Sequence, residues 1–367
     1  MKTKLNTLMN TNSDTPMKKE SSKPRKEKIE SPKVSIAPMV DVTDKHFRYF
    51  MRLITKKALL YTEMVTCQGI YHGDSERLLG FNEIEHPLAL QIAASTIEQI
   101  KQAMPIINRY NYDEINLNAG CPSDRVSGNL MGACLMAYPE LVRDMLLTIK
   151  EYTDKPVTIK HRIGIDGKNI LPDTFEKTLL DSYEDMHNFV SIIREARPDR
   201  YTIHARIAIL EGLSPKENRD IPPLRYEEVY RLKEQYPELN IEINGGFRSL
   251  EDMKKPLELL DGVMIGRLAR DNPFELRGVD SLYPGGTFNS ISRGEIIEGF
   301  IPYVESLESC GENAYPAIRH MDGLFLGKRG SKRWKQLLGT PASQGIKASE
   351  LLRRALDELP KEVLLEK

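Results

Sequence analysis

The chain has 367 residues, 40% of them hydrophobic and 29% charged, an ordinary globular composition with enough length to bury a sizeable core. Its 52 Lys and Arg against 53 Asp and Glu leave a net charge of −1, which argues neither for nor against a polyanionic partner. No apolar run approaches the roughly 20 residues of a membrane span. The four cysteines, Cys67, Cys121, Cys134 and Cys310, show no CxxC spacing, so they suit neither a disulfide scaffold nor a structural metal.

Residues 1–32 are polar, rich in Lys, Ser, Thr and Pro, and are expected to be disordered because they cannot bury enough surface to offset their ordering entropy. The segment lacks the apolar stretch of a secretory signal and is Lys-rich with acids among the lysines. A cytoplasmic protein is therefore expected, with organellar import left open. From Val34 onward, eight short apolar segments recur: Val34–Ala37, Leu59–Thr62, Leu88–Ile92, Glu114–Asn118, Val157–Arg162, Tyr201–His204, Ile241–Asn244 and Gly262–Ile265. Helical patterns such as Ile97–Asn108 and Tyr226–Tyr236 separate them. Eight alternating units are the count of a (β/α)8 TIM barrel, here over residues 33–285. A doubly wound open sheet is the competitor, weakened because no G-x-G-x-x-G follows the first strand. Residues 294–308, 316–326 and 346–359 then read as helices of a small C-terminal helical domain over 286–367. That region holds a basic cluster of Arg319, Lys328, Arg329, Lys332, Arg333 and Lys335 against one acid, Asp322.

Chemically capable residues end nearly every strand, and a barrel gathers such ends at one mouth. Asn244-Gly245-Gly246 and Gly266-Arg267 close the last two strands, where glycines admit phosphate oxygens to backbone N–H groups and an Arg adds a charged fork. Lys160 and Arg162 flank His161 at the end of the fifth strand, where a buried cation needs an anionic partner. His204 ends the sixth strand. Cys121 follows the fourth, as a thiol able to donate a proton or as a buried small hydrophobe. Residues 123–136, with Gly128 and Gly132, read as a mobile lid, and Cys134 at its end as a packing residue.

Longer stretches resemble the tRNA-dihydrouridine synthases, specifically their A type. They are Ala37-Pro38-Met39, Gln91-Ile92, Asn116-Leu117-Asn118-Ala119-Gly120-Cys121-Pro122-Ser123-Asp124-Arg125-Val126, Lys160-His161-Arg162-Ile163-Gly164, His204-Ala205-Arg206, Ser214-Pro215-Lys216-Glu217-Asn218-Arg219, Ile243-Asn244-Gly245-Gly246 and Gly262-Val263-Met264-Ile265-Gly266-Arg267. The resemblance implies an FMN barrel that reduces the C5=C6 bond of a D-loop uridine, position 20 and its neighbour 20a, with NADPH as reductant. It implies Pro38, Met39, Val40, Gln91, Lys160 and His204 around the flavin ring. Asn244, Gly245, Gly246, Gly266 and Arg267 would hold its phosphate, and Cys121 would be the proton donor. Asn118, Lys216, Arg219, Lys332 and Lys335 would contact tRNA. A monomer without metal or membrane attachment is expected. The rivals are an FMN barrel acting on a free pyrimidine or dihydroorotate, which has no use for the basic helical domain, and a non-enzymatic RNA-binding protein on a dead barrel, against which Cys121, Lys160 and His204 argue.

Overall fold

Eight short strands are apolar at alternate positions, and those side chains pack beneath helices as the core of the molecule. The computed structural model describes residues 31–123, 130–172 and 175–367. The barrel strands are β1 (Val34–Ile36), β2 (Leu59–Thr66), β3 (Leu88–Ala93), β4 (Glu114–Ala119), β5 (Val157–Arg162), β6 (Tyr201–His204), β7 (Ile241–Asn244) and β8 (Gly262–Ile265). Each is parallel to its sequence neighbour, and β8 closes on β1 with Ser35 opposite Met264. Seven strands match their sequence-read limits to within a residue. The exception, β2, runs on to Thr66 past an irregularity between Tyr61 and Met64.

Helices of eight or more residues are numbered α1 (Lys45–Ile54), α2 (Ile97–Ile107), α3 (Pro139–Tyr152), α4 (Tyr183–Ile193), α5 (Tyr226–Gln235), α6 (Glu251–Leu259), α7 (Arg293–Ser309), α8 (Ser331–Leu338) and α9 (Ala348–Glu358). The first six cover the barrel. Their entries follow from capping chemistry: Asp44 accepts from the N–H groups of His46 and Phe47, and Thr96 from that of Gln99. A three-stranded sheet of Ile165–Asp166, Leu179–Leu180 and Ala208–Ile209, unforeseen in the sequence, ties the loop after β5 to the loop after β6.

Residues 31–367 form one compact unit. The C-terminal helices pack against α1, where Tyr49 stacks on Tyr303 at 4.0 Å and Phe50 meets Phe300 edge-on. Asp44 and His320 pair across the same contact at 3.0 Å. The helix expected over 316–326 is broken into Tyr315–Arg319 and a 3-10 turn, Asp322–Phe325. The cause is close approach: a Cβ on Gly323 would stand 2.5 Å from the Asp271 carbonyl and 2.6 Å from that of Arg270. Helix α8 was not foreseen, because its basic residues mask the three that anchor it, Trp334, Leu337 and Leu338. Trp334 is wholly buried and donates from Nε1 to the Met321 carbonyl at 2.9 Å.

Among the described residues, no helix is long and apolar enough to cross a membrane, and no cluster of His, Cys, Asp or Glu is arranged to hold a metal. Most of the tail read as disordered, residues 1–30, and the heart of the expected lid, residues 124–129, lie outside the described residues.

Candidate active site

The inner face of the barrel carries polar side chains from floor to mouth, beside a small apolar cluster of Leu59, Ala89 and Met264. At the floor, Arg200 donates to both oxygens of Glu114 at 2.7 Å and to the Tyr61 hydroxyl at 2.8 Å. Glu242, beside it, accepts from Ser35 and Thr202, each at 2.6 Å. These buried charges are paired and hydrogen-bonded, the condition under which they are tolerated. Toward the mouth, side chains alternate across β5. His161 faces outward onto Phe189 at 5.1 Å between ring centres, whereas Lys160 and Arg162 face inward.

Lys160 and Arg162 then differ in kind. Arg162 is spent on the protein, donating to the carbonyls of Gly120 (2.9 Å), Ile207 (2.8 Å) and Asn218 (3.2 Å). It ties three loops together at the rim. Lys160 forms no ion pair among the described residues. Burial, and then the charge of Arg162, push its ammonium down to about 8. His204 is held well below the ordinary imidazole range by burial and by the surrounding charges of Arg162, Lys160, Arg206 and Arg219. It is therefore a neutral hydrogen-bonding ring and not a proton store.

Cys121 hangs from this framework by its backbone. The Asn118 amide oxygen accepts from the N–H groups of Gly120 (3.1 Å) and Cys121 (3.0 Å), and Ala133 N–H donates to the Cys121 carbonyl at 2.8 Å. The thiol is partly exposed and within electrostatic reach of Lys160, Arg162 and Arg219. Cys134 is buried, donates from Sγ to the Met131 carbonyl, and is pushed up to about 12. It packs, as the sequence suggested.

The loop after β1 presents Pro38, Met39 and exposed Val40. Thr43 bonds back to both the N–H and the carbonyl of Met39, and Glu63 accepts from the N–H of Asp41, which sits at φ 63°. Across the mouth, Gly245 (φ 128°) and Gly246 (φ 79°) turn sharply under Leu224, His204 and Tyr226. Gly266 is different. A Cβ there would meet only Met39 Sδ at 3.6 Å and Ala37 Cβ at 3.7 Å, ordinary contacts. The protein itself has room for a side chain at 266, so what glycine leaves clear is the floor of a cradle between Met39 and β8. Asn244 braces that cradle by donating to the Met264 carbonyl at 2.8 Å. Arg267 is drawn sideways onto Asp220 and the Arg219 carbonyl.

Gln91 is buried and bonded to Asn116 and Asn118. Lys216 and Arg219 stand exposed on the loop after the small sheet. That loop is built on buried Asn218, whose amide bonds Ile209 through both its N–H and its carbonyl, and also the Leu213 carbonyl. Sequence reasoning gave Asn218 no role. Its position between two polar neighbours carries no periodic signal. The C-terminal cluster is less bare than its composition suggests. Lys328, Arg329, Arg333 and Lys335 pair with Glu366, Glu362, Glu358 and Asp322, whereas Arg319 and Lys332 have no ion-pair partner among the described residues.

The fold and this mouth define a barrel enzyme whose mouth gathers buried cations, a glycine turn and a partly exposed thiol. The dihydrouridine synthase family model matches residues 35–359. The chain is 49% identical over 308 residues to the tRNA-dihydrouridine(20/20a) synthase of Pseudomonas syringae pv. tomato, spanning 84% of this chain and 88% of that protein. Proteins of the same name from Synechocystis and Vibrio parahaemolyticus are 46% and 47% identical over 88% and 90% of this chain, and 93% and 98% of theirs. The chain belongs to the dihydrouridine synthase family. That family is flavin-dependent in general. The residues present suit a flavin: an unpaired Lys160 for an electron-rich ring, a neutral His204 to hydrogen-bond it, and the open floor at Gly266.

Proposed function

We propose that this protein reduces the C5=C6 bond of uridine at positions 20 and 20a of tRNA, with FMN as bound cofactor and NADPH as reductant. The observation that supports this most is the extended likeness to proteins bearing that name, together with a thiol held by Asn118 at the mouth of a cationic barrel. Reduction adds a hydride at C6 and a proton at C5, and the bound flavin supplies the hydride. Cys121 donates the proton to C5. His204 is excluded from that task because burial, and then the charges around it, keep it unprotonated. Lys160 offsets negative charge on the ring, and Gln91 orients it. Gly245, Gly246, Gly266, Arg267 and Asn244 hold the phosphate.

A uridine in folded tRNA must be turned out to reach a barrel mouth. We assign the grip on the tRNA backbone to Lys216 and Arg219 at the rim and to the helical domain over 286–367, through Lys332, Lys335 and Arg319. In this reading residues 33–285 are the catalytic domain, and the protein acts as a cytoplasmic monomer. The test is purified protein with an unmodified tRNA transcript and NADPH, read by mass mapping of dihydrouridine. Product at 20 and 20a is expected. Reduction of a free pyrimidine with none in tRNA refutes the proposal.

A further inference from the structure

Five side chains join the barrel floor to the Cys121 loop in one line of hydrogen bonds. The Thr158 hydroxyl donates to Glu114 at 2.6 Å. Asn116 Nδ2 donates to Thr158 Oγ1 at 2.8 Å. Gln91 Nε2 donates to Asn116 Oδ1 at 2.8 Å, and Asn118 Nδ2 donates to Gln91 Oε1 at 2.7 Å. Asn118 Oδ1 then accepts from Gly120 and Cys121. The register explains the line: Gln91 lies opposite Asn116, and Asn116 opposite Thr158. Glu114, Asn116 and Asn118 alternate onto the same face of β4, so the line climbs about 13 Å at 3.3 Å per residue.

The direction of this line is not free. The Glu114 carboxylate, bridged to Arg200, only accepts. Thr158 has a single proton, and Glu114 takes it. Its oxygen must therefore receive from an N–H, which turns the Nδ2 of Asn116 toward β5 and its oxygen toward Gln91. That oxygen takes the Gln91 N–H, so Gln91 offers its own oxygen to Asn118. Asn118 is left with its oxygen facing the two loop N–H groups. With any one amide reversed, two donors or two acceptors would meet in a buried site, where neither has water to turn to.

We propose that Glu114, Thr158 and Asn116 are positioning residues that orient the amides of Gln91 and Asn118 and so hold the Cys121 loop in its working place. None of the three touches the mouth. The floor ion pair thereby does more than stabilise the barrel: its sign fixes which atom Asn118 offers to the backbone of Gly120 and Cys121. The role rests on the reading of Cys121 as the proton donor, but its test does not.

The test is Thr158→Val, which keeps the shape and removes the hydroxyl, with Thr158→Ala beside it so that the valine methyl cannot decide the outcome. Each flavin-loaded full-length protein is treated with iodoacetamide, and Cys121 and Cys310 are followed by peptide mass. With the amides free to turn, Cys121 should alkylate roughly three- to tenfold faster, the factor expected for one net hydrogen bond, while exposed Cys310 keeps its rate. Thr158→Ser should restore the wild-type rate. Oxidation of the reduced enzyme by tRNA should slow by a similar factor, more than reduction by NADPH does. Wild-type alkylation of Cys121 in both the valine and the alanine variants overturns the proposal. If wild-type protein fails to reduce tRNA uridine, the proposed function falls, and the alkylation comparison still decides the role of this line.

Discussion

Lys160 offers the sharpest test of the site, because its charge is held at a disadvantage until an anion arrives. Burial and the neighbouring Arg162 bring its ammonium from 10.5 to about 8. An electron-rich flavin over the ammonium should restore the ordinary value. Binding then takes up a proton at any pH above 8, and the dissociation constant rises tenfold per pH unit until the bound-state value is reached. A full return of 2.5 units corresponds to about 3 kcal/mol, and between pH 7 and 9.5 it weakens FMN binding roughly 30-fold. The sign for the flavin-free protein is the opposite. Below pH 8 both folded and unfolded chains carry the proton and the folded state bears the full penalty. Between 8 and 10.5 the unfolded chain holds more protons, so stability rises with pH. The assay is anaerobic titration of reduced FMN with protein from pH 7 to 9.5, followed by the absorbance of the reduced ring, for wild type and Lys160→Met. Ionisations of free FMN are common to both, so the difference in slope isolates Lys160. The same slope in both proteins refutes the assignment.

Cys121→Ala should leave FMN binding and reduction by NADPH intact but slow stopped-flow reoxidation by tRNA about 10²–10⁴-fold, the usual loss for a positioned acid, while Cys134→Ala does much less; equal rates for Cys121→Ala and wild type would remove the thiol from the chemistry. The glycines separate fold from ligand. Gly246→Ala puts a Cβ 2.5 Å from Leu224 at φ 79°, so its melting temperature should fall by the equivalent of about 1–3 kcal/mol, whereas Gly266→Ala should melt like wild type yet lose FMN affinity. A Gly266→Ala protein with normal FMN content would show that the cradle lies elsewhere. For tRNA, Lys332→Ala and Arg319→Ala should each lower the slope of log K against log salt by roughly 0.7–0.9, and Lys335→Ala by less because Asp322 already pairs with it at 3.3 Å. Unchanged slopes in filter-binding titrations would make the cluster a solvated helix face.

The barrel was legible in the sequence because its signal is local. A strand whose outer face lies under helices must be apolar at every second position, and the eight segments from Val34 to Ile265 each are. The polar residues that end them, from Gln91 to Arg267, were legible for the same reason: they gather where each apolar pattern stops. What each of these does is a matter of partners, and the partners come from elsewhere in the chain. Lys160 and Arg162 are two residues apart on one face and look alike in sequence, yet loop carbonyls 42 to 56 residues away satisfy only the arginine. The sequence places His204 at a strand end but not its protonation state, which burial and then four surrounding cations decide. The basic run from Lys328 to Arg333 reads as bare until Glu358, Glu362 and Glu366 fold back along it. The helix expected over 316–326 fails for a similar reason, since the carbonyls that crowd Gly323 belong to the loop after β8. Composition and periodicity determine which residues can be buried and which faces they share. Closure of the barrel decides which charges meet, which amide is forced to point which way, and therefore which cation is left to receive a ligand.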